Sequence, residues 1–278
     1  MPVISTNTAA NSALNYLNLN SANETESISQ LASGSRIVQA KDDAAGLAIG
    51  TQLQANVSVF QEDQVNVAQG TSILQSTDGA LAQISNVLAR MLSLATESAS
   101  GQVTNSQRVQ DINTEYQQLK LEIGSIVSGT TYAGNALLTG SFLSNVKFLI
   151  GTQSTNFISV SIATVSVSGA KGLLGATGST VSTATTGLHA IAGVNSAINT
   201  ITKDRALVGA YESQFNFSGQ DIATNVQNIS AAQSVILDAD VAQVKSSLSA
   251  QDVKTQAAIA ALTQASQLPQ ELLHLLQS

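Results

Sequence analysis

The chain has no cysteine, which excludes disulfides and thiolate metal sites. It has no tryptophan, and aromatic residues make up only 4% of its 278 residues. Enzyme cores usually draw much of their packing area from large rings. With 43% hydrophobic residues a buried interior is still within reach, but Ala, Leu, Ile and Val must fill it beside Ser, Thr, Asn and Gln. That mixture suits slender helices packed close together. Charged residues are scarce as well, at 10% against a usual figure of about 25%. A surface so poor in charge is weakly defended against self-association, and its amides and hydroxyls can pair with copies of themselves. The charge that exists is mostly acidic, 18 Asp and Glu against 11 Lys and Arg, for a net −7. Such a chain repels phosphate, so nucleic acid is not an expected partner. It has no basic clusters for anionic membrane, and no apolar run of about 20 residues to span one. The opening residues, MPVISTN, have no cationic stretch leading into an apolar block, so no general secretory signal is read there. Taken alone, these facts point to a soluble cytoplasmic protein.

Proline occurs only as Pro2 and Pro269, so nothing between them is barred from helix on that account. Glycines are sparse over 51–100 and 220–278 and dense over 124–193, which reads as helix, irregular middle, helix. Val3, Asn7, Ala10, Leu14, Leu17, Ser21, Glu24, Ile28 and Leu31 recur at steps of 3 and 4, a coiled-coil seam with polar members. Such a helix is marginal alone, because helices depend on packing an apolar face. After a linker over 32–40, Lys41, Asp42 and Asp43 open a second helix, their carboxylates suited to its positive end. Helical spacing then persists from about 43 to 98, a length of roughly 80 Å. Gly101 closes it, and 105–128 reads as a shorter helix. In the middle, 157–167 alternates apolar and hydroxyl residues like a half-buried strand. Residues 146–150 are a second candidate strand, and 175–187 is a low-complexity loop. Helical spacing returns at 188 and runs to the end, with Val241, Val244, Leu248, Gln251, Thr255, Ala258, Leu262 and Ala265 again stepping by 3 and 4.

The expected fold is therefore mainly α. A long coiled-coil helical rod carries a small β-hairpin region, and weak terminal helices pair with each other and with copies.

Few residues invite chemistry. Adjacent residues on a helix point about 100° apart, so Asp42 and Asp43 do not converge as an acid–base pair. Asp238 and Asp240 have no His or Glu at ligand spacing and read as caps of the last helix. His189 and His274 are far apart in sequence and suggest no zinc site. Gly169 to Gly172 lacks the order of a phosphate loop and reads as a turn. Gln107 and Arg108 read as exposed. With no nucleophile–base pairing, catalysis is not expected, and neither cofactor nor metal is called for.

Three stretches carry a family resemblance. Leu31 to Ile49, LASGSRIVQAKDDAAGLAI, resembles the N-terminal pattern LSSGxRINxAxDDAAGxAI of bacterial flagellins. Ile236 to Ala242, ILDADVA, resembles the pattern that leads into their terminal helix. Ala265 to Leu276, ASQLPQELLHLL, resembles their closing residues. The resemblance covers about 1–140 and 188–278. It implies a filament subunit exported through the flagellar type III channel, which accounts for the missing signal peptide, and located outside the cell in the flagellar filament. Implied partners are other copies, an export chaperone with the export apparatus, and the filament cap and hook-junction proteins. A neighbouring reading is the hook–filament junction protein, which shares the terminal pattern.

The implied segments are 1–40, an inner-core helix with connector, and 41–140, the first part of the rod. They continue as 141–187, a variable insert, 188–235, the second rod helix, and 236–278, the C-terminal core helix. Leu14, Leu17, Ile28, Leu31, Val244, Leu248, Leu262, Leu272 and Leu275 become polymerisation positions, the last leucines serving also as a chaperone-docking face. Arg36, Lys41, Asp42 and Asp43 form the connector motif, with Arg36 a candidate for an ion pair between copies. Ser and Thr over 177–186 become candidates for O-glycosylation. At the surface read by the flagellin-sensing Toll-like receptor, Arg90 matches and Glu115 falls near a contact carboxylate. Leu92 and Ser93 stand in place of further charged residues, so weak sensing is implied. The first 35 residues hold no Lys or Arg and the last residue is Ser278, both departures from the family pattern.

Overall fold

The computed structural model describes residues 7–139, 145–166, 173–174 and 180–277, with side chains described as far as Gln267. The chain is mainly helical with small antiparallel strand pairs, as expected. It divides into two compact units, residues 1–57 with 228–278, and residues 58–227. Two helices, α2 (Ala44–Ala99) and α5 (Ala184–Leu237), contribute to both.

In the unit 58–227, burial follows the coiled-coil step along both long helices. On α2 the buried positions run through Val67, Gly70, Leu74, Thr77, Leu81, Ile84, Leu88, Met91 and Ala95. On α5 they run through Ala190, Val194, Ala197, Ile201, Val208 and Phe215. The phenyl ring of Phe215 lies over Gly70, where an added Cβ would stand 2.6 Å from the ring, so the glycine makes room for one of the chain's few large rings. Phe148 meets the same ring edge-on at 5.2 Å, which ties the hairpin to the helices. Helix α4 (Asn113–Gly129) adds Tyr116 and Ile123 to this core, and burial pushes the Tyr116 phenol up to about 12.

The stretch read as one short helix over 105–128 is three pieces in succession. A single turn, α3 (Asn105–Gln107), is closed by a capping box between Thr104 and Gln107. A π-helical turn, Arg108–Ile112, leads from it into α4. Contrary to the reading from sequence, Arg108 is buried. Its guanidinium donates to the carbonyls of Ser98 at 2.7 Å and Ser100 at 2.5 Å, and to Asn105 Oδ1 at 2.9 Å. A cation on the last carbonyls of α2 also suits the negative end of that helix.

A tight hairpin of β1 (Thr131–Tyr132) and β2 (Asn135–Ala136) follows, turned by Ala133 and Gly134, both at positive φ. The two strands expected in the middle are present as β3 (Val146–Leu149) and β4 (Phe157–Val160), paired antiparallel with Val146 opposite Val160 and Leu149 opposite Phe157. The expected strand to residue 167 stops at Val160, because β3 offers only four residues to pair with. Residues 161–166 continue without strand structure, and Val167 lies outside the described residues, as does the expected turn over 169–172.

Candidate assembly site

The first and last helices of the chain, α1 (Thr8–Ser33) and α6 (Val241–Gln277), lie against each other. Asn7 donates through Nδ2 to the Ala265 carbonyl at 2.7 Å, Thr255 donates to Glu24 at 3.3 Å, and Ser35 bridges to Asp238. Contacts that move forward on one helix as they move back on the other make the pair antiparallel. Both helices are capped locally. The Asn7 side chain accepts the Ala10 N–H, and Asp240 Oδ1 accepts the N–H groups of Ala242 and Gln243. Asp240 is thus a cap, and Asp238 accepts a hydrogen bond from the Ser234 hydroxyl at the end of α5.

The face of α1 turned to α6 is not the one marked by its large side chains. Leu14, Ile28 and Leu31 are 44%, 49% and 37% exposed, while Ala10, Ala13, Leu17, Glu24 and Ser27 are sheltered. On α6, Val244, Leu248, Gln251, Thr255 and Leu262 are half-buried and Ala258 and Ala265 are buried, as the spacing predicts, with Val241 the exception. Steps of 3 and 4 leave two adjacent choices at each turn. At positions 13/14 and 27/28 the structure shelters the smaller side chain, Ala13 and Ser27, while Leu17 is sheltered as well. Leu19, Val253 and Ile259 are left exposed too. The side chains of Leu272, His274 and Leu275 lie outside the described residues.

This packing has an energetic consequence. Burying a leucine or isoleucine is worth about 1.5–3 kcal/mol, and an alanine far less. The α1–α6 pair therefore forgoes part of this gain, since Leu14, Leu19, Ile28, Leu31, Val253 and Ile259 remain exposed.

The connector 34–43 is a hydrogen-bonded joint. Gly34 ends α1 at φ +69°, a left-handed conformation that glycine adopts without strain. The joint is then clamped to the end of α5. The Arg36 N–H donates to the Leu237 carbonyl at 2.6 Å, the Ala239 N–H to the Gly34 carbonyl at 2.9 Å, and the Ser35 hydroxyl to the Leu237 carbonyl at 3.0 Å. The Arg36 guanidinium is spent within the chain, on the Ile236 carbonyl at 2.8 Å and on Asp43 at 3.8 Å. Asp42 gathers the N–H groups of Val38 and Gln39, and Asp43 accepts the Gly46 N–H and so caps α2. Lys41 is exposed. Gly50 faces Leu237, where an added Cβ would stand 2.6 Å from the side chain, so a larger residue at 50 would force that leucine to shift.

Elsewhere, Arg90 and Glu115 pair with each other at 2.7 Å on the surface, and Leu92 packs partly into the core. His189 is exposed, and among the described residues no group of three His, Asp or Glu is placed to hold a metal ion. Three features went unread in the sequence. One is buried Arg108. The others are two buried aspartates, Asp63 and Asp204, and the Asp78–Arg205 pair at 2.8 Å. The aspartates had a visible signal, since both fall on the step of 3 and 4 that marks the seam.

Terminal helices that close the chain on itself, a hydrogen-bonded joint and a helical unit with one hairpin define a helical structural subunit built for association. Comparison with known proteins gives the family. Residues 4–142 match the bacterial flagellin N-terminal helical region, and residues 191–276 match the bacterial flagellin C-terminal helical region. The chain is 31% identical to the flagellar filament 30.7 kDa core protein of Treponema maltophilum, over 99% of each. It is 30% identical to the flagellin of Bacillus subtilis, over 98% of this chain and 99% of that one. The crystal structure of Bacillus cereus flagellin is similar with a TM-score of 0.50 and 27% identity, covering 61% of this chain and 94% of that one. The chain belongs to the bacterial flagellin family.

Proposed function

We propose that this chain is the repeating structural subunit of a flagellar filament, and that α1 and α6 drive its polymerisation. The observation that carries the reading is the packing of these two helices. They meet through a mixed set, with Ala13, Leu17 and Ser27 of α1 and Leu248, Ala258 and Leu262 of α6 sheltered, and leave Leu14, Ile28, Leu31 and Val253 exposed. In a filament these side chains pack against the α1 and α6 of neighbouring copies. The gain in buried area then offsets the cost of ordering the termini. On this reading 1–40 and 236–278 are the polymerising segments, and the chain acts mechanically, without catalysis. It passes through the flagellar export route with a chaperone on its last leucines, and meets the cap and hook-junction proteins outside the cell.

The experiment is sedimentation of full-length protein against a Leu14→Ser, Ile28→Ser double variant under polymerising conditions. Both side chains are already exposed in the subunit, so the variant folds normally and its monomer stability stays within about 0.5 kcal/mol of wild type. Its critical concentration rises at least about tenfold, the equivalent of about 1.4 kcal/mol. An unchanged critical concentration would remove these helices from the contact. A subunit found only in a few copies at the filament base would move the chain to a junction role.

A further inference from the structure

Two carboxylates occupy the helical seam where its pattern calls for apolar side chains. On α2, Asp63 stands between Val57 and Val67, and on α5, Asp204 stands between Ile201 and Val208. Asp63 is 1% exposed and Asp204 8%, and Oδ2 of each has no hydrogen-bond partner. An ionised carboxylate so placed loses its hydration without replacement, whereas the neutral acid is far less costly to bury.

The charged neighbours do not relieve this. On α2, Glu62 adds a like charge beside Asp63, and Asn66 supplies one hydrogen bond. Asp78 is taken up by Arg205 of α5, at 2.8 and 3.1 Å. Helix α5 further carries Lys203, Glu212, Asp221 and the exposed His189, and α4 carries Lys120 and Glu122 beside Glu115, which is paired with Arg90. From the hairpin, Lys147 lies over the Phe157 ring at 4.4 Å. The ion pairs among the described residues are Arg36–Asp43, Arg90–Glu115 and Arg205–Asp78, and none includes Asp63 or Asp204. Burial raises both carboxyl pKa values above the ordinary range. At Asp63 the Asn66 hydrogen bond opposes the rise and Glu62 adds to it.

We propose that Asp63 and Asp204 are proton-operated latches of the α2–α5 seam: the seam packs tightest around the protonated acids, and loss of either proton loosens it at that point. The sign follows from proton linkage. A carboxyl whose folded pKa is raised contributes stability that is fully present below its unfolded value and is lost as pH rises through the folded one. The unit 58–227 is therefore firmest while both acids are protonated and softens as pH rises through their raised folded pKa values. Two seam positions one on each helix give the subunit local points of opening at neutral pH that close in an acidified medium. This holds for the monomer whether or not the chain polymerises.

The test is thermal unfolding of the full-length monomer by circular dichroism, from about pH 4.5 to about pH 8, for wild type, Asp63→Asn, Asp204→Asn and the double variant. Asparagine keeps the shape and removes the titration. The wild-type Tm falls by several degrees as pH rises, each single variant flattens the fall, and the double variant flattens it most. A double variant with the wild-type slope would overturn the proposal, as would a wild-type Tm that rises toward pH 8. Should the variants not fold, hydrogen exchange in the wild type decides. Opening at 60–67 and 201–208 that becomes easier with rising pH supports the latches, and pH-independent opening there refutes them.

Discussion

Arg108 carries a full charge into the interior and meets no carboxylate there. Its three bonds go to two carbonyls at the end of α2 and to Asn105. Arg108→Ala strips those acceptors of their donor, the buried Ser98 carbonyl above all, which costs about 2 kcal/mol. Arg205 makes better ionic geometry, two bonds to Asp78, but at the surface. Arg205→Ala costs less than about 1 kcal/mol. Urea unfolding of the two variants checks the ordering, and equal midpoints would contradict it. At Arg90 the consequence is for recognition. Its guanidinium is held by Glu115, and the surface expected from the family resemblance would carry charge where Leu92 and Ser93 stand. Charge-assisted contacts at an interface centre are worth several kcal/mol. In a receptor reporter assay this chain is expected to be at least about tenfold less potent than a flagellin with the full pattern. Equal potency would sink that expectation.

At the scale of elements, period was legible in the sequence and phase was not always so. The helix α2 could be read nearly to its ends, because Asp43 caps it and no proline interrupts 56 residues. The hairpin strands were legible from alternation. Their length was not, since a strand ends where its partner does, and β3 supplies four residues. On α1 part of the expected repeat is sheltered, at Asn7, Ala10, Leu17 and Glu24, while Leu14, Ser21, Ile28 and Leu31 are exposed. Ala13 and Ser27, next to Leu14 and Ile28 in sequence, take the sheltered side in their place, which spacing alone could not decide. Of the joint, the charged residues of its motif stood out in the sequence. The clamp from Ser35 and Arg36 to Ile236 and Leu237 did not, because its acceptors are backbone carbonyls some 200 residues away. Arg108 was unreadable for a similar reason: a lone arginine in a polar stretch shows nothing of the carbonyls that surround it once α2 ends.

At the scale of the whole molecule, the unusual composition and the fold have one explanation. A chain with 10% charged residues and a net charge of −7 on 28.5 kDa resists association only modestly. Its terminal helices pair yet keep Leu14, Ile28, Leu31, Val253 and Ile259 exposed, an arrangement that would be a liability in a protein meant to stay alone. Both features serve a subunit whose finished state is a polymer. The most direct measurement is electron microscopy of the full-length chain and of a 40–235 truncation, each brought to the same polymerising conditions. Filaments from the full chain and only monomers from the truncation are the predicted result. Filaments from the truncation, or none from the full chain, would contradict assembly through the terminal helices.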